Sequence, residues 1–177
     1  VDSFILTKAI DFSDIIQEPV SEAPPFKMVY TGKLIIGRDK ALAKIAEAVA
    51  SINEKEEKII FEVYSTTQPD EEFMKAFSAK GCRFMGAVDK AQVERIQKEA
   101  DIVVFAESLD KKYRNTARLS FSTKITDYFS SGRCIFALGD KDIAPIDYLI
   151  KEDAAVTVTD YDDIEPQLRR LCENPSI

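Results

Sequence analysis

The chain has 177 residues, 45% apolar and 31% charged, which is enough for one domain with a sizeable hydrophobic core. Its formal charge of −7 excludes a broad nucleic-acid surface, which would need a basic stripe, but leaves room for a local basic pocket around a small anion. There is no histidine, which removes Ser-His-Asp and Cys-His nucleophile systems and argues against a zinc or transition-metal site.

In chain order, residues 1–25 carry a short apolar run, Phe4-Ile5-Leu6, and then a polar stretch ending at Pro24-Pro25. They are expected to be a linker or the end of a preceding domain, and the start at Val1 suggests a piece of a longer chain. FKMVYTG (26–32) reads as a strand ending in glycine. Residues 39–54 place Leu42, Ile45, Ala46, Val49 and Ile52 at helical spacing. KIIFEVYS (58–65) is a strand, PDEEFMKAFSAKG (69–81) an acid-started helix stopping at Gly81, and CRFMG (82–86) a short strand. DKAQVERIQKEA (89–100) is amphipathic, and DIVVFAE (101–107) is nearly all apolar before Glu107, as a central parallel strand requires.

A polar loop with several cations is expected over 108–119. SFSTKITDYFSSGRCIFALG (120–139) then reads as a loop, a short helix stopped by Gly132, and a buried strand. Residues 143–152, 154–158 and 161–174 add a helix, a strand and a last helix. No apolar run approaches the roughly 18 residues of a membrane span, and no signal-peptide pattern opens the chain. Cys82, Cys134 and Cys172 are widely spaced, form no C-x-x-C pair, and read as buried thiols of a reducing compartment.

Alternating strands and helices predict an α/β fold, a Rossmann-like doubly wound parallel sheet of about six strands with helices on both faces, over residues 26–177. Its ligands belong at the carboxyl ends of the strands. Three such places carry chemistry. Gly32 admits close approach to the backbone, while Lys33 and Arg38 can neutralise phosphate charge; the bland alternative is a plain turn with two solvated cations. This is neither the G-x-G-x-x-G fingerprint nor a Walker A loop, since Arg38-Asp39 follow Gly37 where Lys-Ser/Thr would be needed. The Gly86-Ala87-Val88 turn can offer backbone groups to a planar base. Ser122, Thr123 and Lys124 open a helix whose N-terminus suits an anion, with Asp127 a turn deeper for a sugar hydroxyl. Helix capping by Ser122 or Thr123 uses the same groups, so both readings stand.

The pieces YTGKLIIGR (30–38), RFMGAV (83–88), ADIVVF (100–105) and STKITDYFSSGRCIFALG (122–139) resemble the C-terminal, nucleotide-sugar-binding domain of GT-B glycosyltransferases, in particular the retaining enzymes that build bacterial surface polysaccharides. The resemblance spans residues 26–174. It implies that Gly32, Lys33 and Arg38 bind the donor diphosphate, with the two cation types exchanged relative to the family, and that Gly86 and Val88 contact the base. The family's E-x7-E motif would put its second acid at Asp127, on the donor ribose. Its first acid would fall at Leu119 and is missing, so Ser122, Thr123 and Lys124 are the candidates to take over phosphate and sugar contacts.

The resemblance therefore implies a donor-binding domain that is inactive alone, with Lys33, Arg38 and Lys124 stabilising the leaving group and neither metal nor cofactor taking part. Its implied partners are a nucleotide-sugar donor and an N-terminal acceptor domain upstream in the same chain; no nucleic-acid partner is expected. The expected location is cytoplasmic, peripheral to the inner face of the membrane through that upstream domain. The competing class is a non-catalytic or regulatory α/β nucleotide-binding module. A receiver-like signalling domain would need aspartates where Thr31 and Met85 stand.

Overall fold

The computed structural model describes residues 20–118 and 122–174; the expected linker up to residue 19 and position 119 lie outside them. Six strands form one sheet: β1 (Phe26–Thr31), β2 (Ile59–Tyr64), β3 (Cys82–Gly86), β4 (Ile102–Ala106), β5 (Cys134–Leu138) and β6 (Val156–Val158). Their order is β3-β2-β1-β4-β5-β6 and each neighbouring pair is parallel. The helices are α1 (Arg38–Ile52), α2 (Glu71–Ala76), α3 (Lys90–Lys98), α4 (Lys111–Ala117), α5 (Lys124–Ser131), α6 (Ala144–Lys151) and α7 (Ile164–Glu173), with a 3₁₀ turn at Tyr161–Asp163. The expected Rossmann-like fold is present.

Each central strand is buried on both sides, so successive residues feed two cores. Met28 and Tyr30 of β1, with Phe61, Val63, Val104 and Phe136, pack under α1, α2 and α7 through Leu42, Ile45, Phe73 and Leu168. Val29, Val103, Phe105, Ile135 and Ala137 face α3, α5 and α6 through Ile96, Ile125, Tyr128 and Ile146. Local chemistry sets the helix ends. Asp70 accepts from the Phe73 amide at 2.8 Å, Asp89 and Gln92 form a capping box, and Gly132 ends α5 in the left-handed region at φ 65°.

Two features depart from the sequence reading or go beyond it. Residues 111–117 are helical where a polar loop was expected; KKYRNTA contains good helix formers and neither glycine nor proline. The β1–β4 ladder is short, pairing Met28 with Ile102 and Val29 with Val103, whereas β1 pairs with β2 along its whole length. β1 and β4 therefore share no register partners with each other towards their carboxyl ends.

Asn53, fully buried at the end of α1, fixes the turn into β2. Its Oδ1 accepts from the amides of Lys58 and Ile59 at 2.8 and 3.0 Å, and its Nδ2 donates to the carbonyls of Ile59 and Lys80 at 2.8 and 3.2 Å. Replacement by alanine strands these buried groups. Asn53→Ala is expected to cost about 3 kcal/mol, seen as a lower urea midpoint at unchanged slope.

Candidate functional site

After β3 the chain returns to the other side of β1 as β4, so the crossovers leaving β1 and β4 diverge and open a crevice at their carboxyl ends. Thr31-Gly32 form one lip and Glu107-Ser108 the other. Arg38, the first residue of α1, closes the gap: its Nε donates to Glu107 Oε2 at 3.0 Å and its Nη2 to Oε1 at 2.6 Å. The side chains of Arg38 and Glu107 are only 20% and 5% exposed, which makes the fork-to-carboxylate pair shielded from solvent.

Lys124, the first residue of α5, brings a second cation to the same place. Its ammonium lies 4.5 Å from the centre of the Tyr30 ring and donates to the Tyr30 hydroxyl at 3.3 Å. That hydroxyl donates in turn to the Lys33 carbonyl at 2.9 Å. The ammonium also rests on Gly32, where any Cβ would overlap Nζ. Glycine there gives the ammonium its place, since a Cβ would displace the flexible end of Lys124. Beneath the crevice Gln97 Nε2 donates to Thr31 Oγ1 at 2.7 Å and the buried Tyr128 hydroxyl to the Val104 carbonyl at 2.9 Å.

Burial pushes the Lys124 amine down to about 8; the nearby Arg38 charge lowers it further and Glu107 opposes. Burial drives the Tyr30 phenol well above its ordinary value, so it stays a neutral hydrogen-bonding group. Two cations thus meet over one carboxylate at the positive end of α5. An oxyanion placed there relieves the repulsion between Lys124 and Arg38 and gains charge-assisted hydrogen bonds.

The expected residues fall into three groups. Gly32, Arg38 and Lys124 converge, with Ser122 and Thr123 alongside; Ser122 Oγ accepts from the Lys124 amide at 3.4 Å, whereas Thr123, the N-cap, makes no side-chain cap bond. Asp127 sits half-buried in the first turn of α5. Lys33 is exposed and joins the cluster only through its carbonyl. Gly86 ends β3 and Val88 follows it, two strands from β1 and thus about 10 Å across the sheet. Gly86 has φ 77° and faces open space, while Val88 is half-buried against the core under α3.

Sequence reasoning missed Glu107 as a partner and Tyr30 as the floor of the site. A lone carboxylate directly after an unbroken apolar strand was the available signal for Glu107. The β1–α1 loop holds a further feature: Ile36 at φ 60° and Gly37 at φ 73° are both left-handed, and Gly37 packs so closely on Ser108 and Tyr113 that a Cβ there would collide with both. For β-branched Ile36 this conformation is strained by about 1–2 kcal/mol.

A cavity of about 200 Å³ between α1, α2 and the 3₁₀ turn is lined by the acids Asp39, Glu47, Asp70, Glu72 and Asp110 against Lys40 and Lys44, a net negative set that disfavours anions. Among the described residues no group of three or more His, Cys, Asp or Glu could hold a metal ion, and no helix is long and apolar enough to cross a membrane. Burial pushes the thiol of Cys82 up to about 12 and that of Cys134 up to about 11, which disfavours the reactive thiolate; Cys82 is buried as expected, whereas Cys134 and Cys172 are only half-buried.

No protein-family model matches the sequence, and no curated protein does so either. Solved structures do match. The C-terminal domain of a glycosyl transferase group 1 family protein (LpcC) from Francisella tularensis aligns with 94% of this chain and 89% of its own at TM-score 0.65 and 17% identity. The chain has the fold of a GT-B glycosyltransferase half. WaaG, a glycosyltransferase involved in lipopolysaccharide biosynthesis, aligns with 87% of the chain at TM-score 0.63 and 13% identity. A UDP-forming trehalose-phosphate synthase from Burkholderia xenovorans aligns with 84% at TM-score 0.56 and 11% identity. The chain spans only 39% of WaaG and 36% of the synthase. At these identities the likeness establishes the fold.

The Arg38–Glu107 pair sets a stability test. Arg38→Ala leaves a buried carboxylate without its cation and is expected to cost about 3 kcal/mol in chemical denaturation. The double change Arg38→Met with Glu107→Leu removes both charges and is expected to recover most of that loss.

Proposed function

We propose that this chain is the donor-binding domain of a retaining glycosyltransferase, which takes a sugar from a nucleotide-diphosphate donor for polysaccharide or glycoconjugate synthesis. The observation that carries the reading is the Lys124 ammonium resting on Gly32, near enough to the Arg38–Glu107 pair to feel its charges, at the switch point of a GT-B-like sheet. Sugar transfer builds negative charge on the departing diphosphate. Lys124, Arg38 and the start of α5 oppose that charge with groups already in place, so the proposed reaction needs no metal. Glu107 holds the guanidinium still by two bonds, to Nε and Nη2. Lys33 supplies a solvated charge at the rim, and Ser122 and Thr123 offer hydroxyls to the phosphates. Asp127 is assigned to the ribose, and the Gly86–Val88 turn to the base. The acceptor belongs to an upstream domain of the same chain, and the proposed setting is cytoplasmic, at the inner face of the membrane.

Calorimetry with UDP, GDP and ADP tests this. One of them is expected to bind, and Lys124→Ala to weaken it about 10- to 100-fold through loss of a charge-assisted contact. Binding by none removes the reading. Diphosphate binding in a chain whose upstream sequence encodes no second Rossmann-like domain favours a regulatory module instead.

The reading also predicts a pH dependence. Only the protonated amine serves a phosphate, so affinity is expected to fall as pH rises through about 8, approaching tenfold per unit. Lys124→Arg, which keeps its charge, flattens that profile. Stability moves the other way. Between about 8 and the ordinary 10.5 the unfolded chain holds more protons on Lys124 than the folded one does, so the free domain gains stability with pH across that window.

A further inference from the structure

The lysines of this chain differ in what faces them. Lys27, Lys44, Lys90, Lys112 and Lys151 each have a carboxylate within 4 Å. Lys124 has none among the described residues: its Nζ meets the Tyr30 hydroxyl and ring, with Arg38 and Glu107 acting at longer range. The Tyr30 hydrogen is committed to the Lys33 carbonyl, so the phenol only accepts from the amine and cannot return a proton to it. An amine desolvated beside a second cation is a nucleophile at neutral pH. The same second cation is a seat for a phosphoryl group.

We propose that Lys124 is an acylation site served by small acyl phosphates, the phosphoryl group seated on Arg38 and the start of α5 while Nζ attacks the acyl carbon. The neutral amine forms a C–N bond, the acyl C–O bond to phosphate breaks, and orthophosphate leaves carrying the proton lost by nitrogen. The product is a neutral amide. It removes one of the two cations of the cluster and crowds Gly32, against which the ammonium already rests. Acylation thereby switches off anion binding at the crevice. The groups that face the amine are Arg38, Glu107 and Tyr30, and its partial neutrality near pH 8 is consistent with reaction under cellular conditions. This inference needs the anion seat but not the transfer of a sugar.

The test is exposure of the chain to acetyl phosphate at about pH 7.5, with peptide mass spectrometry of each lysine over time. Lys124 is expected to react about tenfold faster than exposed Lys33, Lys55 and Lys98. Inorganic phosphate should slow it selectively, and an N-hydroxysuccinimide acetate ester, lacking phosphate, should show weaker selectivity. Gly32→Ala, whose Cβ displaces the flexible end of Lys124, should abolish the preference while circular dichroism confirms the fold. Equal or slower reaction at Lys124, or a preference unaffected by phosphate, overturns the proposal. Diphosphate binding without selective acetylation defeats this inference alone, whereas selective acetylation without diphosphate binding defeats only the donor-site reading.

Discussion

The bidentate pair between Arg38 and Glu107 is the constraint on which this end of the molecule depends. A doubly wound sheet must part at its switch point, and here β1 and β4 share only two register partners before their ladder stops. Past that point the two strands have no further register partners in common. The side-chain fork supplies the missing connection, tying the first residue of α1 to the residue after β4. Buried ion pairs contribute little net stability because desolvation offsets their attraction, but they fix geometry. A hydrophobic replacement could hold the fold and would remove the charge that the crevice presents.

Around that tie, the other groups take their places by packing. Tyr30 reaches from the α1 side of the sheet past its edge to meet Lys124, which belongs to the opposite layer. Tyr128 and Ile125 anchor α5 in the second core, so the position of the ammonium is decided by apolar contacts one turn below it. Gln97 and Thr31 join α3 to β1 in the same way. Charge at the surface of this site is therefore placed by burial beneath it.

Much of the fold was legible in the amino-acid sequence, because its signals are periodic. The apolar spacing of α1, the unbroken run IVVFA of β4 and the glycine stop at Gly132 each mark an element whose chemistry is local. The cations Arg38 and Lys124 and the small Gly32 were legible as well, from their positions at strand and helix ends. Glu107 was not, since its pairing with Arg38 joins residues 69 positions apart and nothing near either one reveals the other. Tyr30 was hidden for a related reason: in a strand it reads as core, and only the meeting of the two layers shows that its hydroxyl accepts from the Lys124 amine. The helix at 111–117 escaped because it carries no apolar stripe at helical spacing, and its packing of Tyr113 near Gly37 is tertiary.

The left-handed pair Ile36-Gly37 bears on how an anion would enter. Those two residues hold the start of α1 in a conformation that an unfolded chain rarely visits, and the Leu34 amide bond to Thr67 at 3.2 Å and the Arg38 fork keep it there. The geometry of that loop is thus set by the chain's own contacts. A crevice preorganised in this way adds no loop-freezing entropy to association, so differences among ligands are expressed mainly in how slowly they leave.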